Sequence, residues 1–408
     1  MSDARVTTTL RAPSERAHAP VSTAELERRW SAVRGAMDGQ GVNALLVHNN
    51  TDCMGGYVKY FSDVATSLGD PLSIVFGADD PMTMVMHGPH GDERQLPPEG
   101  DGLLRGVRTV STAWSFSSVA YCQRYDAERL VKALAPYRRG VIGLVGLGQM
   151  PYPMIDWIKQ ELPDASFVDG APLVDPIKAV KSSEERQAIA GVAAQQEAAF
   201  EAALAAIGPG VRESEVVGAA LRASYDQGSE GGVLMVGAGP VGEPAGFNTR
   251  QHQNRRIEAG DHVVVLIETC GPGGLYTELG RTVVVGTATD EMRADHAFAV
   301  EAQRYCLDLI KPGVAPGEVF EAYNAYLREH GRPEERRLSC HGQGYDAVER
   351  PLVRSDETLP LAEHMNIACH PMYVAGGMTF WVCDGFFIEA AGVSAPHHGT
   401  ARELFETG

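Results

Sequence analysis

Charged side chains and histidines lie inside otherwise apolar stretches of the last third of the sequence. Glu268 lies in VVVLIETC and Glu278 in YTELGRT, while His341 lies in CHGQG and His370 in NIACHPMY. A buried charge or imidazole is costly unless it is paired, so such residues usually mark a site. Two histidines and two carboxylates can bind one Zn, Mn or Fe ion, and the same groups can move protons.

Further polar residues follow these positions along the chain. Glu349 and Pro351 come shortly after His341, and Cys383 and Asp384 lie in FWVCDGFFIE. Taken singly, each has an ordinary structural interpretation, since a buried cysteine is commonly a small hydrophobic residue and a lone buried histidine is commonly a satisfied one. Their clustering in one part of the chain favours a site.

The stretches that carry Glu268 and Glu278 predict the two arms of a hairpin. HVVVLIETC (262–270) and RTVVVG (281–286) are rich in β-branched residues and are joined by a glycine-rich turn. A helix is predicted before them over 182–210, because serines and glutamates open the segment and Gly-Pro-Gly closes it. Another helix is predicted over roughly 290–310. The last part of the chain therefore predicts an α+β domain with antiparallel strands.

The first part of the chain predicts a separate α/β domain. Apolar runs at 42–48, 72–77, 82–88 and 140–146 predict strands, and they alternate with predicted helices at 24–39, 126–136 and 151–161. A stretch rich in Pro, Asp and Gly, 170–182, predicts the boundary between a domain at 24–172 and one at 173–408. The polar residues 1–23 predict a disordered arm.

Composition excludes some classes of partner. The formal net charge of −18 argues against nucleic acid, because phosphate binding favours a basic surface. The sequence has no apolar run of transmembrane length, so no membrane partner is expected. The 7 cysteines are scattered and odd in number. That usage is typical of a reducing compartment and predicts a cytoplasmic protein.

Short strings along the chain resemble the aminopeptidase P/prolidase/creatinase family. These strings, in family order and near family spacing, are IKAVKSSEE (177–185), YTEL followed by RTVVVG (276–286), LDLIKPG (307–313), HGQG with ERP (341–351) and MNIACHP (365–371). The resemblance covers residues from about 24 to 395. It implies a small N-terminal α/β domain, an α+β C-terminal domain with the pita-bread fold, and a homodimer.

The resemblance implies an altered metal-ligand set. Peptidases of this family bind two metals through Asp, Asp, His, Glu and Glu. Here His341 matches the histidine, Glu278 stands at the second aspartate, His370 stands at the glutamate before proline, and Cys383 stands at the last glutamate. Val348 replaces a second histidine that helps the peptidases to bind peptide.

Glu268 is the nearest match to the first aspartate, although Leu266 occupies the expected place. Two residues along a strand return to the same face, so the substitution is plausible. Two bridged metals are disfavoured, because longer and missing carboxylates displace ligand oxygens by more than metal geometry tolerates. The expected cofactor is therefore either none or a single divalent Zn, Mn or Fe ion.

The string from Tyr276 to Thr282 also resembles creatinase, the metal-free relative, which works by histidine acid–base chemistry. The resemblance then implies a catalytic histidine before the turn RIEAGD, and His252 is the candidate. Either His252 or His341 would activate water, and Glu349 would orient or share the proton. Arg281 is expected to be a buried ion-pair partner.

Substrate would be positioned by several further residues. Glu278 and Glu268 could hold a cationic group or polarise the water, and a contribution from the partner subunit's N-terminal domain follows from the family analogy. The predicted substrate-binding residues are His370, Tyr345, Cys383, Asp384 and Tyr60.

The favoured function is a creatinase-like hydrolase that cleaves a C–N bond in a small-molecule, polar substrate. One alternative is an atypical Xaa-Pro-type aminopeptidase with a mononuclear metal. Another is a lyase, since a base beside one metal can eliminate a leaving group as well as hydrolyse a bond. A binding module without activity is the last alternative, and the retained cluster of ionisable residues argues against it.

Overall fold

The computed structural model describes residues 21–51, 56–66, 70–97, 99–247, 253–271, 273–371 and 378–408, together with the backbone of 373–375. The chain divides into two compact units, Met1–Ala171 and Pro172–Gly408. The predicted catalytic residue His252 lies outside the described residues, as do the first 20 residues of the predicted arm. Thr23, placed in that arm, already begins the first helix, because Ser22 caps it by accepting a hydrogen bond from the Glu25 N–H.

Among the described residues, the first unit is a mixed seven-stranded sheet with helices α1 (Thr23–Gln40), α2 (Tyr57–Ser62), α3 (Gln123–Leu134) and α4 (Tyr152–Glu161). The strands are β1 (Ala44–Asn49), β2 (Leu72–Gly77), β3 (Met82–His87), β4 (Glu93–Gln95), β5 (Val107–Ala113), β6 (Val141–Val145) and β7 (Ser166–Asp169), in the spatial order β4-β5-β3-β2-β1-β6-β7. Apolar residues of α3 and α4 pack on β1 and β6, which explains why strand β1 is fully buried.

His48 illustrates the cost of a polar side chain in this sheet. It lies in β1 with no exposed surface, and its Nδ1 is 2.8 Å from the Ser73 hydroxyl. Burial lowers the pKa of His48 from 6.5 to about 4, so the folded chain resists a proton that the unfolded chain accepts. His296 and His397 have pKa values lowered to about 4 for the same reason.

The free energy of unfolding is therefore expected to fall as the pH drops below about 6.5, by up to roughly 1.4 kcal/mol per pH unit for each such histidine. The sign follows because the unfolded state binds more protons than the folded state in this range. Urea denaturation at pH 7 and pH 5 measures the effect. His48→Gln, which keeps a partner for Ser73, should lose less stability over that interval than the parent chain, and an equal loss would contradict the assignment.

The second unit contains helices α5 (Ala171–Ala179, which begins at the boundary), α6 (Ser183–Ala206), α7 (Glu213–Asp226), α8 (Asp290–Asp308) and α9 (Pro316–Glu329). Its strands are β8 (Gly231–Gly239), β9 (His262–Cys270), β10 (Leu279–Val285), β11 (Cys340–Gly342), β12 (Glu349–Leu352), β13 (Asn366–Cys369), β14 (Tyr373–Ala375), β15 (Met378–Phe380), β16 (Asp384–Glu389), β17 (Gly392–Val393) and β18 (Phe405–Thr407). In the described residues they form sheets ordered β18-β10-β9-β8 and β12-β11-β13-β16-β17, with β14-β15 as a separate pair.

The hairpin predicted from the sequence is present. β9 and β10 pair antiparallel with Leu279 opposite Ile267. The N–H and carbonyl groups of Gly280 and Cys383 exchange hydrogen bonds of 3.0 Å, and this bridge connects the two larger sheets. The two sheets therefore meet beside the residues that the sequence predicted as a site.

The helices of the second unit follow their local signals with one exception. Ser182 and Glu185 form a capping box at the start of α6, as the serine–glutamate opening predicted. The stretch 170–182, predicted as the domain boundary from its Pro, Asp and Gly content, contains helix α5 with Pro176 inside it. In the part of the chain that the structure describes, no helix combines the length and apolar character needed to cross a bilayer.

Candidate active site

The second unit brings three of the predicted residues to one point. Glu278 lies at the start of β10, His341 lies in β11, and His370 follows β13 directly. Each offers one carboxylate oxygen or ring nitrogen, and these atoms all lie within 4.8 Å of one another. All three residues are only 2% exposed. We call these residues the Glu278–His341–His370 cluster.

The hydrogen bonding of His341 shows what the cluster can hold. Its Nδ1 lies 3.0 Å from the Gly342 carbonyl oxygen, which can only accept, so Nδ1 carries the proton. In the neutral ring Nε2 then has a lone pair, and it faces the Glu278 Oε2 atom at 3.4 Å. Two acceptors face each other favourably only with a proton or a cation between them.

His370 completes the cluster from the next strand. Its Nε2 lies 4.0 Å from Glu278 Oε2, and its ring centroid is 4.9 Å from that of His341. Burial lowers the pKa of His370 to about 4, although the charge of Glu278 acts in the opposite direction. A neutral imidazole at pH 7 is the form that binds metals.

Glu268 lies beside the cluster on the other arm of the hairpin. The register that pairs Leu279 with Ile267 continues toward Glu278 and Glu268. Burial and the charge of Glu278 raise the pKa of Glu268 well above its usual range. Burial alone would also raise the pKa of Glu278, but His370 and His341 outweigh that effect and lower it to about 2. One carboxyl group is thus protonated and its neighbour ionised.

Gln343 is a site residue that the sequence reasoning missed. Its Nε2 donates a 2.9 Å hydrogen bond to Glu268 Oε1. Gln343 has no exposed surface, and it lies two residues after His341 in the string HGQG. The signal available in the sequence was its place in HGQG, the string that also contains His341.

Trp381 forms one wall of the cluster. Its ring stacks on His370 with centroids 5.1 Å apart and an interplanar angle of 23°. Leu266 packs in the same apolar group as Trp381 and Cys383, which explains why Leu266 occupies the place expected for an aspartate. A Cβ atom on Gly280 would lie 2.1 Å from Trp381 Nε1, so only glycine lets the indole approach this closely.

Gly280→Ala is accordingly expected to lower the free energy of unfolding by about 1–3 kcal/mol, because the new methyl group and the indole would occupy the same space. Gly39→Ala, where a Cβ would meet nothing within 4 Å, is the matched control and should be neutral or slightly stabilising. Thermal melts of both variants measure the difference. Equal melting temperatures for the two variants would show that the indole moves aside without any loss of stability.

Glu349 is engaged by cations instead of by the cluster histidines. Its two carboxylate oxygens form ion pairs with Lys178 and Lys181, and Lys178 also lies 3.1 Å from Asp346. Burial opposes ionisation, but these two lysines lower the pKa of Glu349 below its usual range. The predicted catalytic role of Glu349 stays a prediction, and its contacts favour a structural role.

Asp384 and Arg281 form a second buried ion pair, with the Arg281 Nη2 atom 2.8 Å from Asp384 Oδ1 and both side chains without exposed surface. Arg281 also donates to the Cys383 and Thr400 carbonyl oxygens, so it ties several chain segments together. The expectation that Arg281 is a buried ion-pair partner agrees with these contacts. They give Asp384 a structural task, and its predicted contact with substrate stays a prediction.

The remaining predicted substrate-binding residues are buried in different surroundings. The Cys383 thiol lies 3.9 Å from the Glu278 carbonyl oxygen, at the edge of the cluster. Tyr345 is 1% exposed and belongs to the second unit. Tyr60 is 1% exposed in α2 of the first unit, where the Arg29 guanidinium lies over its ring at 4.9 Å. Their contacts with substrate stay predictions.

Comparison with known proteins shows which protein family this chain resembles in sequence and fold. The profile of metallopeptidase family M24 matches residues 187–394, which contain the whole Glu278–His341–His370 cluster. A Xaa-Pro dipeptidase of Pyrococcus horikoshii is 25% identical over 254 residues, covering 59% of this chain and 69% of the relative. Dipeptidase PepE of Mycobacterium ulcerans superposes with a TM-score of 0.75 at 21% identity, covering 95% of this chain and 99% of that structure. A prolidase structure from Pyrococcus horikoshii superposes with a TM-score of 0.72, also at 21% identity.

The chain belongs to metallopeptidase family M24. The family resemblance stated from the sequence is confirmed, and so is the predicted fold, an α/β N-terminal domain with an α+β C-terminal domain of the pita-bread type. The predicted class of enzyme, a hydrolase of C–N bonds, is also confirmed at this level.

Proposed function

We propose that this protein is a hydrolase that cleaves a C–N bond in a small, dipeptide-sized substrate with one divalent metal ion held by the Glu278–His341–His370 cluster. The observation that carries the proposal is the convergence of a carboxylate and two imidazoles within 4.8 Å in a buried site. This convergence supports the single-metal Xaa-Pro-type function ahead of the creatinase-like one favoured from the sequence.

The donor set fits one ion. Ligand bonds of about 2.1 Å in a tetrahedral site place neighbouring donor atoms about 3.4 Å apart. The distance from His341 Nε2 to Glu278 Oε2 is 3.4 Å, and that from His370 Nε2 is 4.0 Å, so a small shift of His370 suffices. The Gly342 carbonyl fixes the His341 tautomer in the manner usual for metal-binding histidines.

A divalent ion there would supply Lewis-acid chemistry, making a water molecule a better nucleophile near neutral pH and polarising a carbonyl oxygen. Glu268 lies beside Glu278 and is held by Gln343, and its raised pKa suits it to donate a proton to the leaving nitrogen. Trp381 stacks on His370 and keeps that ring in place. Zn, Mn and Fe all suit two imidazoles and a carboxylate.

Burial of the site favours a small substrate. The cluster residues are 2% exposed and Glu268 is 9% exposed, so the chemistry lies well below the surface of the unit. The relatives named Xaa-Pro dipeptidase act, by their names, on short substrates. Xaa-Pro dipeptides are therefore the first substrates to test, followed by small amides, ureas and amidines.

The test compares metal-free and reloaded protein. We expect chelated protein to lose hydrolysis of the active dipeptide, and added Zn, Mn or Fe ions to restore it. Analysis of the products in ¹⁸O-labelled water separates hydrolysis, which incorporates the label, from elimination, which does not. Full activity in protein shown by elemental analysis to contain no metal would overturn the single-metal proposal.

The creatinase-like, metal-free hydrolase is the second candidate. It is favoured by the same close approach of His341 and Glu278, because a proton can occupy the position between them as well as a cation. Activity that survives metal removal, on small amidines or ureas but not on Xaa-Pro dipeptides, would identify it. A homodimeric assembly and a cytoplasmic location stay predictions under either function.

A further inference from the structure

A second group of potential ligands lies on the opposite face of the strands that carry the cluster histidines. Cys340 in β11 is paired directly with Cys369 in β13, and each is followed by a cluster histidine. Because successive side chains of a strand point to opposite faces, the two cysteines face away from His341 and His370. There they meet Cys306, which comes from helix α8.

The three sulfur atoms converge on one point. The three Sγ atoms lie within 4.8 Å of one another, and Cys306 Sγ is 3.7 Å from Cys340 Sγ. The Ser339 hydroxyl is 3.5 Å from Cys306 Sγ, which adds an oxygen to the group. All four side chains are without exposed surface, and the three thiols are free. We call Cys306, Cys340, Cys369 and Ser339 the thiol cluster.

The separations between these atoms match a tetrahedral metal site. With metal–sulfur bonds of about 2.3 Å and a metal–oxygen bond of about 2.1 Å, the edges of a tetrahedron are about 3.8 Å between sulfurs and about 3.6 Å from sulfur to oxygen. The Cys306–Cys340 and Cys306–Ser339 distances of 3.7 Å and 3.5 Å are close to these values, and Cys369 Sγ lies within 4.8 Å of the other two sulfurs. The three thiols come from one helix and two strands and meet at one point, which gives a set of donors that zinc-type ions bind.

Charge balance favours a divalent ion. The thiol cluster lies in an apolar core group that includes Ile310, Tyr323 and Phe386, so a net charge there would be costly. Zn²⁺ displacing three thiol protons to solvent leaves three thiolates and the serine hydroxyl as donors, with one net negative charge. A monovalent ion with the same donors would leave two net negative charges.

We propose that the thiol cluster binds one zinc-type divalent ion in a structural site separate from the Glu278–His341–His370 cluster. The ion would connect helix α8 to strand β11, which contains His341, and to strand β13, which ends directly before His370. The site contributes no open coordination position, because all of its donors come from the protein and none is exposed. Its role is therefore to fix the positions of β11 and β13, whereas catalysis is assigned to the Glu278–His341–His370 cluster.

The test uses Co²⁺ as a spectroscopic substitute for Zn²⁺ in reduced, oxygen-free protein, supplied both during expression and afterwards because the site is buried. We expect an intense sulfur-to-cobalt charge-transfer band that saturates at one ion per chain and is removed by Zn²⁺. The Cys306→Ala variant should lose this band. Cys122→Ala, which removes a buried cysteine of the first unit, is the matched control and should keep it.

The His341→Ala variant separates this proposal from the proposed function. It removes a ligand from the Glu278–His341–His370 cluster and should leave the charge-transfer band intact, because that cluster contains no sulfur ligand. A wild-type chain that shows no sulfur-to-cobalt band under either loading procedure would overturn the proposal. A band that persists in Cys306→Ala would overturn it as well.

Discussion

Replacing Glu278 with glutamine is expected to lower kcat/KM by at least about 100-fold while the chain stays folded. Glu278 provides the anionic oxygen that lies 3.4 Å from His341 Nε2 and 4.0 Å from His370 Nε2. Glutamine has nearly the same shape but is neutral, so it can neither complete a cation site nor hold a proton against His341. The loss is expected for both candidate mechanisms.

The comparison of steady-state kinetics needs two controls. Glu243→Gln removes one charge at an exposed position of the same unit and should leave kcat/KM unchanged. Circular dichroism should show an unchanged spectrum for Glu278→Gln, since the substitution preserves volume. Retention of more than about a tenth of wild-type activity by folded Glu278→Gln would show that this cluster is not where the reaction occurs.

Replacing Glu349 with glutamine is expected to lower the free energy of unfolding by about 3–5 kcal/mol, because two buried lysines would lose the carboxylate that compensates them. Lys178 and Lys181 are 3% and 0% exposed, and each forms an ion pair with Glu349. Breaking a buried ion pair from one side leaves an uncompensated charge. Urea denaturation at pH 7 measures the loss.

Asp356→Asn is the matched control, since Asp356 pairs with Arg354 at the surface with 67% of its side chain exposed. That change should cost no more than about 1 kcal/mol. A Glu349→Gln variant with unchanged stability but no activity would instead support the catalytic role predicted from the sequence. The two outcomes distinguish a structural from a catalytic carboxylate.

The pH dependence of the same ion pairs has a defined sign. The two lysines lower the pKa of Glu349 in the folded chain below its usual value of 4.5, although burial acts against them. The stabilisation is therefore present above about pH 4.5 and is lost as the pH falls through the lower, folded-state pKa. The Glu349→Gln variant should lack this part of the acid dependence.

The sequence was sufficient to predict the cluster because local and family signals agreed there. HVVVLIETC and RTVVVG have strand composition and a glycine-rich turn between them, so the hairpin follows from local preference. His341 and His370 interrupt apolar stretches, where only a partner makes an imidazole tolerable. The antiparallel pairing of β11 with β13, which brings these histidines together, is in keeping with the family order of the strings.

The sequence was insufficient where a residue's partner lies far away along the chain. Glu349 is separated from Lys178 by 171 positions, and no periodicity in either segment indicates that pairing. Cys306 contacts Cys340 and Cys369 because helix α8 packs on the sheet. The spacing of these cysteines along the sequence therefore does not predict that they lie together. Strand β4 is wholly exposed and polar, and it lacks the apolar signal by which β1, β2, β3 and β6 were predicted.

The most direct test of the central claim is the number of divalent ions bound by the Cys306→Ala variant, in which the thiol cluster is disabled. We predict one ion per chain in calorimetric titrations with Zn²⁺, Mn²⁺ or Fe²⁺, and none when His370→Ala is added to the same background. No binding of any of the three ions in the Cys306→Ala chain, or one ion still bound after His370→Ala, would contradict a single-metal site at Glu278, His341 and His370.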